Sequence, residues 1–195
     1  IGASTGGPAA VVNLLRAIPK PQVAAWVLIQ HLDVEFAESL AQWLGQNLGF
    51  PVKLVQEGQA LTPGTLWVAA TQDHLILTAE GFLHYTPEPR NYPYRPSVDV
   101  FFHSVAKHWQ GRAAGVVLTG MGRDGAQGLL ALRQRGFLTL AQNQASCVVY
   151  GMPKAAVEIG AVLRLGDLAQ LNASLQQFMA EPAPAAPMTS ENLRP

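Results

Sequence analysis

Val23 to Ile29 is an unbroken apolar run, the pattern of a strand buried on both faces of a parallel sheet. Ala114–Thr119 repeats it, and shorter apolar runs at Val52–Val55, Leu66–Ala69, Phe137–Ala141, Val148–Tyr150 and Val162–Leu165 read as further strands. Between these runs the spacing turns helical. Val11, Leu14, Leu15 and Ile18 follow Pro8, which suits a first helical turn and would make Gly7 the cap; Pro19-Lys20-Pro21 ends that helix. A helix from Glu35 to Leu48 places Phe36, Leu40, Trp43 and Leu44 on one face. Ser97 caps a helix carrying Val98, Phe101, Phe102 and Val105. Further helices start at Ala126, run from Pro153 to Ile159, and cover Asp167–Met179. Leu75–Thr78 and Phe82–Tyr85 flank Ala79-Glu80-Gly81 as a hairpin, and the proline-rich stretch Thr86–Pro96 is a loop. Alternating strands and helices predict an α/β fold, a doubly wound and mostly parallel sheet with flanking helices and a small antiparallel hairpin. Residues 1–180 form one domain, and 181–195, rich in Pro and Ala, read as a mobile tail. Ile1 leads straight into a glycine loop, so most of the strand expected ahead of it, with any N-terminal partner domain, is expected to lie outside this sequence.

Composition narrows the function classes. Hydrophobic residues make up 49% and charged residues 13%, so much of the chain is interior. A net charge of +0 lacks the basic footprint that phosphate-backbone binding needs, so nucleic acid is not an expected partner. No apolar run reaches bilayer-spanning length, so no direct membrane insertion is expected. The single cysteine, Cys147, excludes an intrachain disulfide and is compatible with a reducing cytoplasm. Beside an apolar strand it reads as a buried thiol rather than a nucleophile.

Two glycine-rich pieces carry the candidate chemistry. Gly2-Ala3-Ser4-Thr5-Gly6-Gly7 has the Gly-x-Ser-x-Gly form of a nucleophile on a tight strand-to-helix turn, and the helix behind it points amide groups at the loop. Taken alone, this loop serves catalysis and anion binding equally well. His31 ends the second strand; it is either a base within reach of Ser4 or a surface histidine before a helix, with Asp33 as the cap. Asp124, in Gly120-Met121-Gly122-Arg123-Asp124-Gly125, either closes a capping box with Gln127 or orients His31 through its Nδ1–H. Met121 can offer a backbone amide to an oxyanion. His74, His84, His103 and His108 show no metal-ligand spacing, so neither metal nor cofactor is expected.

Five separated motifs in order resemble one family. Ile1–Gly7, Gln30-His31, Arg95-Pro96-Ser97-Val98-Asp99-Val100, Leu118–Ala126 and Ser146–Lys154 are similar to the catalytic domain of CheB, the chemotaxis-type protein-glutamate methylesterase. The resemblance implies a cytoplasmic enzyme that hydrolyses glutamate methyl esters on chemoreceptor helices, releasing methanol, and also deamidates receptor glutamines. It implies Ser4, His31 and Asp124 as the catalytic residues, with the Met121 loop and the Thr5 amide as oxyanion donors. It implies an N-terminal receiver domain, and its histidine kinase, as partners in the longer protein. Tyr92, Tyr94 and Arg95 would rim the cleft, Tyr92 and Arg95 binding substrate; Arg95 would meet either an acidic receptor surface or a carboxylate within the fold. Leu32, Ala37, and Asn143 with Gln144 depart from the family pattern without removing a triad member. A serine esterase on a small molecule, and a non-catalytic binding or scaffold domain, are the alternatives.

Overall fold

The computed structural model describes residues 1–19 and 23–181. Ten strands and six α-helices alternate along it: β1 (Gly2–Ala3), α1 (Gly7–Leu15), β2 (Trp26–Gln30), α2 (Ala37–Leu48), β3 (Val52–Leu54), β4 (Gln59–Ala60), β5 (Leu66–Val68), β6 (His74–Leu77), β7 (Phe82–Thr86), α3 (Val98–His108), β8 (Ala114–Val117), α4 (Ala126–Gln134), β9 (Leu138–Gln142), α5 (Met152–Glu158), β10 (Arg164–Gly166) and α6 (Leu168–Ala180). Seven strands form a parallel sheet in the order β10-β9-β8-β1-β2-β5-β3, and β4-β7-β6 form a small antiparallel sheet. The α/β expectation is met.

The apolar runs are continuous because both faces of the large sheet are covered. Successive residues point to opposite faces. Leu28, Leu66, Val68, Val116 and Leu118 pack with α1, α2 and α6, while Ile29, Trp67 and Val117 pack with α3, α4, α5 and the small sheet. Asp167 caps α6 through a full capping box with Gln170, and the Ser97 hydroxyl accepts from Val100 N at the start of α3.

Several details differ from the sequence reading. The buried face of α2 is Ala37, Leu40, Ala41, Leu44 and Leu48; Phe36 and Trp43 are 54% and 41% exposed. Residues 34–36 form a 3-10 turn, which rotates Phe36 off the helical stripe. β4, a two-residue piece, joins the hairpin as a third strand; so short a run carries no periodicity. Val148–Tyr150 contributes one bridge, Tyr150 to Gly120, rather than a strand. Part of Pro19-Lys20-Pro21, and all of the tail except Glu181, lie outside the described residues.

The strand order puts β1 between β8 and β2. The chain winds outward from β1 through β2 on one side, and through β8, β9 and β10 on the other. The carboxyl ends of β8, β1 and β2 therefore meet at the reversal point of the sheet, where open α/β sheets bind ligands.

Candidate active site

Ser4 follows β1 and His31 follows β2. Ala3 pairs with Gln30, so Ser4 and His31 are the next pair in register. The serine turn is pinned from several sides. Ser4 N donates to Thr119 O at 3.1 Å, and Gly7 N donates to Ser4 O at 2.8 Å. The Thr119 hydroxyl donates to Thr5 O at 2.9 Å. The buried Gln30 amide donates to Ser4 O at 2.9 Å and His31 O at 3.1 Å, tying the two turns together. A Cβ on Gly120 would stand 2.7 Å from Ser4 Cβ, so the loop after β8 runs directly against the serine. The cap of α1 is Gly6, at φ 81°, not Gly7. Pro8 takes the second helical position, where its missing N–H is equally unneeded, and Gly6 adopts the left-handed turn without steric cost.

Asp124 is where the structure departs most from local sequence logic. Its side chain is 0% exposed and it does not cap α4. Gly125, at φ 89°, is that cap. The carboxylate instead sits on the N-terminus of α3. Oδ1 accepts from Ser97 Oγ (2.8 Å), Asp99 N (3.0 Å) and Gly125 N (3.0 Å). Oδ2 accepts from Val98 N (2.7 Å) and pairs with His31 Nε2 (2.8 Å). Burial alone would raise the carboxyl pKa, but the bonds from His31, Asp99 N, Val98 N and Ser97 outweigh it and hold Asp124 below its ordinary value.

The nitrogen that meets Asp124 is Nε2, not the expected Nδ1. The reason is where the carboxylate is fixed: it is held at the start of α3, and the outer ring nitrogen is the one that reaches it. An ionised carboxylate only accepts, so Nε2 carries a proton, and whenever the ring is neutral the lone pair lies on Nδ1. His31 Nδ1 is buried and has no hydrogen-bond partner among the described residues. The Ser4 hydroxyl is likewise uncommitted among them. The backbone amides of Thr5 and Met121 also have no protein acceptor among the described residues.

A family model described as CheB methylesterase matches residues 1–175. The chain belongs to the CheB methylesterase family. It is 52% identical over 181 residues to the protein-glutamate methylesterase/protein-glutamine glutaminase of group 3 operon of Pseudomonas putida, a match covering 93% of this chain and 54% of that protein. It is 53% identical over 171 residues to protein-glutamate methylesterase/protein-glutamine glutaminase 3 of Pseudomonas aeruginosa, covering 88% of this chain and 51% of that protein. The chain thus spans about half the length of these curated relatives. The Thermotoga maritima CheB methylesterase catalytic domain shares the fold at TM-score 0.85 and 30% identity, over 91% of this chain and 95% of that one.

In this CheB-family chain the sequence-derived residues do not all converge. Ser4, His31, Asp124, Thr5 and Met121 gather at the carboxyl ends of β1, β2 and β8. Arg95 and Tyr92 spend their polar ends on the protein. The Arg95 guanidinium donates to Arg90 O (2.7 Å) and Pro87 O (3.1 Å) and lies 4.0 Å from Asp73. Tyr92 Oη donates to Asp99 Oδ2 at 2.8 Å, and its ring meets His74 edge-on. Burial and the Asp99 carboxylate raise the Tyr92 pKa. Tyr92 still lines a cavity of about 230 Å³ shared with Tyr94, Arg123 and Asp124. Cys147 is half-buried, its thiol pushed up to about 11 by burial, which leaves it un-ionised. Among the described residues no group of His, Cys, Asp or Glu could hold a metal ion, and no helix is long and apolar enough to cross a membrane.

Sequence reasoning missed the supports. The sequence marks Ser97 as a helix cap alone, yet its hydroxyl also donates to Asp124. Gln30 stands in the sequence pattern only as the neighbour of His31. Its signal was present: an amide at the end of a buried apolar strand needs partners, and only the neighbouring turns can supply them.

Proposed function

We propose that this chain hydrolyses glutamate methyl esters on chemoreceptor helices, releasing methanol, and deamidates receptor glutamines by the same route. The observation that carries this is the His31–Asp124 pair, which leaves the basic nitrogen Nδ1 uncommitted beside the Ser4 turn. Support comes from the family match and from relatives described as protein-glutamate methylesterase/protein-glutamine glutaminase. Ser4 Oγ attacks the ester carbonyl while His31 Nδ1 takes its proton. Asp124 stabilises the imidazolium. The Met121 and Thr5 amides stabilise the tetrahedral oxyanion. His31 then protonates the departing methoxide, giving methanol and an acyl-enzyme. Water, deprotonated by His31, cleaves that ester and frees the glutamate carboxylate. No metal or cofactor enters the scheme. In the longer protein a receiver domain and its histidine kinase are the proposed partners, and the setting is cytoplasmic.

The test is methanol release from a methylated receptor fragment. The parent should release methanol and Ser4→Ala none. Asp124→Asn should lower kcat about ten-thousandfold, because the ring is no longer held in the tautomer that leaves Nδ1 free. Equal release by parent and Ser4→Ala would remove Ser4 from the mechanism. No release by the parent on any receptor would return the chain to a binding or scaffold role.

A further inference from the structure

Tyr94 stacks on the candidate base. Its ring lies parallel to His31, with centroids 4.6 Å apart and an interplanar angle of 3°. At its other end the phenol reaches the loop that carries Met121: a Cβ on Gly122 would stand 2.2 Å from Tyr94 Oη. One side chain thus touches both the imidazole and the turn bearing a candidate oxyanion amide. The segment presenting it is fastened independently of substrate. Tyr92 is bonded to Asp99, Arg95 to the carbonyls of Pro87 and Arg90, and His74 Nε2 to Pro89 O at 3.2 Å. The stack leaves the His31 side chain only 11% exposed.

We propose that Tyr94 is a positioning residue for His31: its ring holds the imidazole plane, and its π face stabilises the imidazolium that forms when the base takes a proton. This rests on the esterase reading for its catalytic part alone. Asp124, Asp99 and Arg123 are charged groups lining the cavity beside Tyr94; Asp124 pairs with the ring edge at Nε2, while Tyr94 covers the ring face, so the two contributions are separable by substitution. A cation within about 6 Å of an aromatic face, shielded from water, gains enough to change an equilibrium about tenfold. The rotation of His31 is also restrained, because a ring turned out of the stack loses both Tyr94 and the bond to Asp124.

The experiment compares the chain with Tyr94→Phe and Tyr94→Leu by two measurements. The first is the proton NMR titration of the His31 ring, assigned by its disappearance in His31→Asn. The second is kcat and KM for methanol release. Leucine keeps the site dry but has no π face. Tyr94→Leu should lower the His31 pKa by about one unit and kcat about tenfold, with KM little changed; Tyr94→Phe should restore both. An unshifted titration in Tyr94→Leu overturns the proposal. So does a rise in KM alone, which would make Tyr94 a rim contact. Equal losses in Tyr94→Phe overturn it too, because the effect would then belong to the hydroxyl. If the parent releases no methanol, the esterase reading fails, yet the titration still decides what Tyr94 does to His31.

Discussion

The Asp124 carboxylate accepts from five donors, and this sets how acid acts on the protein. Its folded-state pKa lies below the ordinary value of 3.8. A carboxyl shifted this way contributes stability above its unfolded pKa and loses it as pH falls through the folded one. Relative to Asp124→Asn, the parent should therefore hold a constant advantage near neutrality and surrender it below about pH 4. The advantage should be roughly 2–3 kcal/mol, since asparagine turns an N–H₂ toward donors. Urea midpoints of both chains across pH 3–7 check this. Asp99 shifts the opposite way, raised by burial and also by the Asp124 charge, so in Asp124→Asn its pKa moves back toward the ordinary value. The three residues of the proposed triad were legible because each follows an apolar strand or sits among glycines. The choice of ring nitrogen was not. It depends on where α3 begins relative to β8, which no local pattern encodes.

The segment from Pro87 to Ser97 shows the same divide between elements. Its aromatic and arginine side chains look like a substrate rim in sequence, yet Tyr92 and Arg95 brace the segment itself, and Ser97 joins it to both α3 and Asp124. Tyr92→Phe should cost about 1–2 kcal/mol, because the buried Asp99 carboxylate loses a donor, while KM stays within twofold. Ser97→Ala should cost about 1 kcal/mol from the lost cap, and should also lower kcat, because Asp124 loses a donor. Denaturant midpoints alongside steady-state kinetics separate the two. Helix identity was readable from spacing throughout, but the buried face of α2 was readable only at Leu40 and Leu44. Trp43 fits the apolar stripe by type, yet the helix buries Ala37, Ala41 and Leu48 beside the expected Leu40 and Leu44.

The molecule works as one unit. Parallel sheets pair strands that are distant in the chain, and the site sits where three such strands end. His31 and Asp124 are 93 residues apart, and Thr5 and Thr119 are 114 apart. Activity should therefore vanish in the same cooperative transition as the fluorescence of buried Trp26 and Trp67. A methanol-release curve that falls at lower urea than the fluorescence curve would show that the site opens by itself. The fold class was readable because both-face burial leaves continuous apolar runs. The strand order was not readable, since every run of that kind looks alike. The central place of β1 has a further effect during synthesis. Its serine is made before His31, Thr119, Asp124 and Val149, and then waits. Gly120 must settle against it, and Val149 must close on Thr119, before Ser4, His31 and Asp124 share one edge. On the esterase reading, the serine therefore stays an unactivated alcohol until the chain has been made through Val149.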